Sequence, residues 1–231
     1  MRLDKYLAAS GIGSRKDVRK LIKAKRITVN GSCDLKADMK IDEEKDAVMM
    51  DGIPVIYRKY AYYMLNKPAG YISATEGLHS VLELIHETDR GLFPCGRLDR
   101  DTEGLLLITN DGPLAHELLS PAKHVDKEYL VRTRKDITPQ DLEKFRQGIV
   151  IDNDEECRPA EGYLKDPKTC MLTIREGKYH QIKRMFEAVG NEVVYLKRVR
   201  MKNLVLDPSL EKGKYRPLTE EEAEDLRSGR I

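Results

Sequence analysis

The sequence predicts an α+β chain in two parts, a small unit over residues 1–58 and a larger one over 60–231. Three observations carry that reading. Leu105-Leu106-Leu107-Ile108 is a short apolar run bounded by turn residues, the pattern of a buried strand. Ile182, Met185, Phe186 and Val189 recur at the spacing of one helix face. The charge is also divided. Residues 1–31 hold nine Lys or Arg against two Asp, a net of +7, and because the whole chain carries +2 the remainder sums to −5. Such asymmetry points to a polyanion as partner of the basic end, most commonly the phosphate backbone of a nucleic acid.

A chain of 231 residues, 40% of them hydrophobic, has ample material for a core. No apolar stretch approaches membrane-spanning length, so a soluble protein with no membrane partner is expected. Met1-Arg2-Leu3-Asp4-Lys5 puts charges where a signal peptide needs its apolar segment, and a cytoplasmic location is expected. The four cysteines lie far apart with no C-x-x-C, and the five histidines form no H-E-x-x-H. Neither a metal site nor a disulfide framework is indicated, and reduced thiols are the default.

Along the first unit, Leu3, Tyr6 and Leu7 keep helical spacing until Gly11 and Gly13 break it. Ser14 stands three residues before Asp17 as a capping pair. Val18, Leu21 and Ile22 then form the apolar face of a second helix, whose other faces show Arg15, Lys16, Arg19, Lys20 and Lys23. A merely solvated face mixes both signs, so this one reads as a phosphate-contacting surface. Ile27-Thr28-Val29 is a strand and Asn30-Gly31 a tight hairpin turn. Arg2-Leu3-Asp4-Lys5-Tyr6-Leu7, Ser14-Arg15 and Ala24-Lys25-Arg26-Ile27-Thr28-Val29-Asn30-Gly31 resemble the small alpha-L RNA-binding domain first described in a ribosomal small-subunit protein. That resemblance implies recognition of structured RNA by shape and backbone, and it names no reaction.

In the larger unit, Ala61 to Leu65 reads as a strand running into the loop Asn66-Lys67-Pro68-Ala69-Gly70-Tyr71. Gly96 to Gly104 packs charged and small polar residues between glycines and leads into the buried run, which Asp111-Gly112 closes as a tight turn. A carboxylate on a loop anchored that firmly is held in place, although a lone loop Asp more commonly caps a turn. Lys127 to Val131 alternates like a strand and puts Tyr129 on one face. Thr138-Pro139 with Asp141 opens a helix carrying Leu142 and Phe145, ended by Gly148. Ile149 to Asp166 shows no legible pattern. Met171 to Ile174 is a strand that delivers the run Glu176 to Phe186, and Gly190 caps the helix there while Lys183 and Arg184 point away from its apolar stripe. Val193 to Arg200 is a strand with Arg198 and Arg200 on one face. Eight Lys or Arg against three Glu between Leu172 and Lys202 predict a second basic surface. Thr219-Glu220-Glu221-Glu222 opens a short C-terminal helix.

The useful chemical pairing is the loop carboxylate Asp99 with Lys183. A cation at contact distance lowers a carboxyl pKa by roughly one to three units, and Tyr129 offers a flat face to a base lifted from its stack. A different reading takes Asp99-x-Asp101-x-Glu103 as the metal-binding cluster of a nuclease or sugar transferase, its acids facing one way if the segment is extended. No further carboxylate motif supports it.

Five stretches resemble motifs of the RsuA-type pseudouridine synthases, in the right order and over almost the full length. They are Asn66-Lys67-Pro68-x-Gly70-Tyr71, Gly96-Arg97-Leu98-Asp99-x-Asp101-Thr102-x-Gly104-Leu105, Lys127-x-Tyr129-x-Val131, Glu176-Gly177-x-Tyr179-His180-Gln181-Ile182-Lys183-Arg184-Met185 and Tyr215-Arg216-x-Leu218-Thr219. The resemblance implies a catalytic domain on a mixed, mainly antiparallel sheet flanked by helices, with the active cleft across its middle. It implies that Asp99 is the catalytic carboxylate, that Tyr129 stacks on the target uracil and is a candidate general base, that Lys183 pairs with Asp99 and that Leu196 lines the site. Candidate RNA contacts are Arg2, Arg15, Lys16, Arg19, Lys20, Lys23, Lys25 and Arg26 in the first unit, and Lys67, Arg97 and Arg184 in the second.

The implied reaction breaks the bond from uracil N1 to ribose C1′, turns the bound base and rejoins it through C5. No redox change or phosphate transfer occurs, so no cofactor or metal is required. The expected partner is ribosomal RNA or a small-subunit assembly intermediate, met by a monomer. The alternatives are a large-subunit rRNA target and a non-catalytic assembly factor that keeps only the basic surfaces.

Overall fold

The computed structural model describes residues 1–228 apart from Glu44, Arg58, Thr88, Arg90 and Asn153. The chain divides into two compact units, Met1–Lys59 and Tyr60–Ile231. The expected domain ends at Arg58 and Ile231 lie outside the described residues.

In the first unit, α1 (Leu3–Ala9) and α2 (Arg15–Lys23) share a core with an antiparallel sheet of β1 (Ile27–Val29), β2 (Val48–Met50) and β3 (Ile53–Pro54). The Ser14 hydroxyl caps α2 by accepting the Asp17 N–H. Leu3, Leu7, Val18, Ile22, Ile27 and Val48 fill the core, which leaves Arg15, Lys16, Lys20 and Lys23 exposed. Asn30 and Gly31 take the left-handed conformation, φ 52° and 81°, and Val29 and Ser32 exchange two hydrogen bonds of 3.0 Å. The tight turn forms, but the hairpin does not extend. β1 pairs instead with β2, beyond a loop over residues 33–47.

The second unit runs β4 (Tyr62–Lys67), β5 (Phe93–Cys95), β6 (Glu103–Thr109), α3 (Gly112–Leu119), β7 (Lys127–Thr133), α4 (Pro139–Gln147), β8 (Val150–Ile151), β9 (Glu155–Glu156), β10 (Glu161–Asp166), β11 (Thr169–Ile174), α5 (Gln181–Ala188), β12 (Val193–Met201), β13 (Leu204–Val205), β14 (Tyr215–Pro217) and α6 (Glu220–Arg227). Its main sheet has the order β10-β11-β7-β12-β6-β4-β14, with β5 on β6 and β13 on β12. Among the described residues β12 and β6 pair in parallel, and the other neighbours are antiparallel. The sheet is therefore mixed and mainly antiparallel.

β6 is buried along its whole length because helices cover both faces of the sheet. Leu106 and Ile108 enter a core with Phe145 of α4 and Ile182, Met185 and Phe186 of α5. Leu105 and Leu107 enter a second core with Leu114 and Leu118 of α3 and Leu226 of α6. Each such side chain contributes about 1.5–3 kcal/mol of burial. Phe145 and Phe186 meet edge to face at 5.0 Å between ring centres.

Four sequence expectations are corrected. Asp111-Gly112 is not a free-standing tight turn but the start of α3, where the Asp111 carboxylate accepts the Leu114 N–H at 3.1 Å. Asn66 and Lys67 belong to β4 and are buried, not in a loop. The illegible stretch from Ile149 to Asp166 holds β8, β9 and β10. Arg198 and Arg200 do not share an exposed face, because the pairing of β12 with β7 shifts between them. Arg198 is 1% exposed, and Arg200 pairs with Asp126 and Glu128.

Candidate active site

The loop between β5 and β6 turns at Asp99, whose carbonyl accepts the Thr102 N–H at 3.1 Å. Beneath this turn the end of β4 places Lys67, with no solvent exposure, so that its ammonium lies 3.1 Å from the Asp99 carbonyl, 3.3 Å from that of Arg100 and 2.8 Å from that of Thr102. It also reaches the Pro68 carbonyl at 3.1 Å. Burial pulls the ammonium down to about 8, against the opposing charges of Asp101, Asp99 and Glu103. The segment after β4 completes the clamp. The Ser73 hydroxyl bridges both backbone groups of Leu98 at 3.0 Å, and the Gly70 N–H donates to the Arg100 carbonyl at 2.7 Å. Gly104 then leads the chain into β6 at φ +99°, where a Cβ would stand 2.2 Å from the Arg198 carbonyl of β12. Only glycine admits that approach.

So held, the Asp99 carboxylate faces a lysine and a histidine delivered by the start of α5. Lys183 Nζ stands 3.4 Å from one oxygen, and His180 Nε2 stands 3.7 Å from the other. The expected pairing of Asp99 with Lys183 is shared. Lys183 lies nearer to Asp101, donating to both its oxygens at 2.7 and 2.9 Å. Burial pushes the Asp101 carboxyl up, but the Lys183 hydrogen bond and charge outweigh it and hold the group below its ordinary value. Burial likewise lowers Lys183, and its hydrogen bond to Asp101 together with both carboxylate charges more than reverses this. Lys183 is thus a cation throughout the neutral range.

Asp99, Tyr129 and Leu196 line one cleft. Arg97, Thr102, His180 and Ile182 also line it. A second cavity, bordered by Gly70, Arg100, Asp101 and Lys183, shares Asp99 and His180 with the first. Tyr129 comes from β7 opposite Leu172 and Arg198 and is buried, a flat wall rather than a surface ring. The Thr102 hydroxyl is buried and has no hydrogen-bond partner among the described residues. The arrangement confines one carboxylate, backed by Lys183 and His180, beside an aromatic face.

The RNA pseudouridylate synthase family model matches residues 61–188, and the S4 domain matches residues 1–46. The chain belongs to the RNA pseudouridylate synthase family. It is 46% identical to the uncharacterized RNA pseudouridine synthase YtzG of Bacillus subtilis (strain 168), over 96% of each chain. It is 41% identical to the ribosomal small subunit pseudouridine synthase A of Escherichia coli (strain K12), over 96% of this chain and 98% of that one. A crystal structure of pseudouridylate synthase shares its fold with a TM-score of 0.70 at 35% identity, covering 98% of this chain and 99% of the other.

Two of the candidate RNA contacts of this synthase are engaged within the chain. Lys67 is sealed beneath the Asp99 turn and cannot meet a phosphate. Arg184 is neutralised by Asp152 and by Glu155 at 2.6 Å, and donates to the Tyr179 carbonyl at 2.9 Å. Arg97 is exposed at the cleft and makes no ion pair with a described residue. In the S4 unit Arg15, Lys16, Lys23 and Lys25 are exposed and likewise unpaired, and Lys20 stands 3.7 Å from Asp17. Arg2 and Arg19 bind the buried Asp4 at 2.9 and 3.3 Å, and Arg26 binds Asp51.

The second basic surface is mostly consumed too. Arg175 pairs with Asp126 and Glu161, Lys178 with Glu155, and Arg200 as described. The acidic-cluster reading fails on geometry, because the chain turns at residues 99–102 and the three acids do not converge: Asp99 and Asp101 both face Lys183, and Glu103 turns away. Asp101 goes to Lys183, while Glu103 takes Lys212 and the Tyr195 hydroxyl, each at 2.7 Å. Sequence reasoning missed His180 and Thr102. Their place within the motifs around Lys183 and Asp99 was the available signal.

Proposed function

We propose that the synthase isomerises a uridine of small-subunit ribosomal RNA to pseudouridine, with Asp99 as the catalytic carboxylate. The observation that carries this is the shared cleft, where Asp99, held from below by Lys67 and flanked by Lys183 and His180, stands with Tyr129. Uridine enters only when flipped from its stack, and the Tyr129 face receives it. Cleavage from N1 to C1′ needs a charged, fixed carboxylate, whether it attacks C1′ or takes a ribose proton. Lys183 keeps negative charge favourable there. The freed uracil turns on the aromatic wall, with Leu196 as the apolar border, and rejoins through C5 with release of the C5 proton.

The small-subunit target is supported by the name of the Escherichia coli relative at 41% identity. The exposed cations of the S4 unit grip the RNA backbone, and Arg97 meets it at the cleft. The enzyme acts as a cytoplasmic monomer on rRNA or an assembly intermediate. Asp99→Asn should abolish tritium release from C5-labelled uridine in rRNA while RNA affinity stays within about twofold, since the change removes only charge. Release at the parental rate would refute the assignment. Pseudouridine mapping of both rRNAs in cells with and without the protein tests the target, and a lost site in the large subunit would overturn the small-subunit reading.

A further inference from the structure

We propose that Tyr179 and His180 form a stacking platform at the rim of the cleft for the nucleobase next to the target uridine, an inference that rests on reading the cleft as a uridine site. The two rings are stacked, with centroids 3.8 Å apart and planes 19° from parallel. His180 borders both cavities and stands 3.7 Å from the Asp99 carboxylate. Tyr179 covers it from outside and is itself 76% exposed. The pair therefore runs from the reacting carboxylate outward to open solvent.

A lone exposed ring needs no explanation, but this one is fixed from beneath. His180 adopts φ 49°, a conformation few non-glycine residues take, and it turns the chain immediately before α5. Arg184, anchored by Glu155, donates to the Tyr179 carbonyl. Gln181 is buried, accepts the Lys178 N–H at 3.0 Å and donates to Glu176 at 2.7 Å. These bonds give Arg184 a purpose other than phosphate contact, since it holds the Tyr179 backbone. Flipping a uridine leaves its neighbour with one face unstacked. A rigid aromatic face beside the cleft offers a replacement, and base–aromatic stacking tolerates any base.

The test uses the full-length protein and fluorescence anisotropy. Its probes are a short labelled single-stranded oligouridine and the counterpart lacking every second base. Removing the bases should weaken wild-type binding by about 5- to 150-fold. Tyr179→Ala should weaken binding of the intact oligomer by a similar factor and make base removal nearly free, while Tyr179→Phe behaves as wild type. Equal affinity of wild type and Tyr179→Ala for the intact oligomer would overturn the platform. So would an undiminished penalty for base removal in Tyr179→Ala. Binding is read without turnover, so absence of pseudouridine from wild type alongside intact coupling would overturn the uridine reading and not the platform.

Discussion

Lys67 has three N–H donors and stands within reach of four backbone carbonyls, so one side chain sets the position of the Asp99 turn. Its titration separates activity from stability. The folded group titrates at about 8 and a free lysine at 10.5, because burial disfavours the ammonium. Between those values the unfolded chain binds more protons than the folded one, so this group's contribution to stability rises with pH across the window. Over the same window the turn loses one donor and a charge. We therefore expect kcat to fall above pH 8 with no matching drop in melting temperature. Lys67→Met should turn over about 100-fold more slowly, as a displaced reacting group does, and should lack that alkaline limb. A pH–rate profile of the two proteins checks both points, and superimposable profiles would show that Lys67 does not govern the turn.

Elements differ in how openly the sequence announces them. Caps at Ser14, Thr138 and Thr219 are legible because cap and partner lie three residues apart. The Leu105 run and the α5 stripe are legible because burial on both sheet faces, or on one helix face, forces a period. β10 is hidden because it is an edge strand exposed along most of its length and shows no apolar alternation. Asp111-Gly112 misleads because one dipeptide serves both a turn and a helix cap. Lys67 misleads because charge marks a loop by default, and only the carbonyls of a segment thirty residues on make a buried ammonium tolerable. The cleft residues are legible through their motifs, whereas the sharing of Lys183 between Asp99 and Asp101 is tertiary and invisible along the chain. The parallel contact of β6 with β12 bears a sharp prediction. Gly104→Ala meets the Arg198 carbonyl and a left-handed backbone, so it should destabilise by more than about 2 kcal/mol and cost activity. Thermal melting checks it, and an unchanged midpoint would refute the close approach.

At the scale of the molecule, net charge misleads and pairing decides. Most cations of the second unit's basic stretch are matched by carboxylates, whereas Arg15, Lys16, Lys23 and Lys25 of the S4 unit are unmatched among the described residues. Each phosphate neutralised on single-stranded RNA contributes a slope of about −0.7 to the plot of log affinity against log salt. Replacing those four residues by Gln should flatten the slope by up to about 3, and Arg184→Gln should leave it unchanged. Filter binding over a salt series reads the difference, and equal slopes for the fourfold variant and wild type would move the RNA elsewhere.

The cysteines divide in the same uneven way. Cys95, Cys157 and Cys170 are sealed in the second unit, where burial pushes the first two thiols up to about 11 and the third to about 12, while Cys33 in the first unit is exposed. A thiol reagent at neutral pH should thus modify a single site in the native protein and four after denaturation. That asymmetry makes Cys33 a natural point for attaching a fluorophore to the S4 unit with no engineered residue, so that its encounter with RNA is followed apart from events in the cleft.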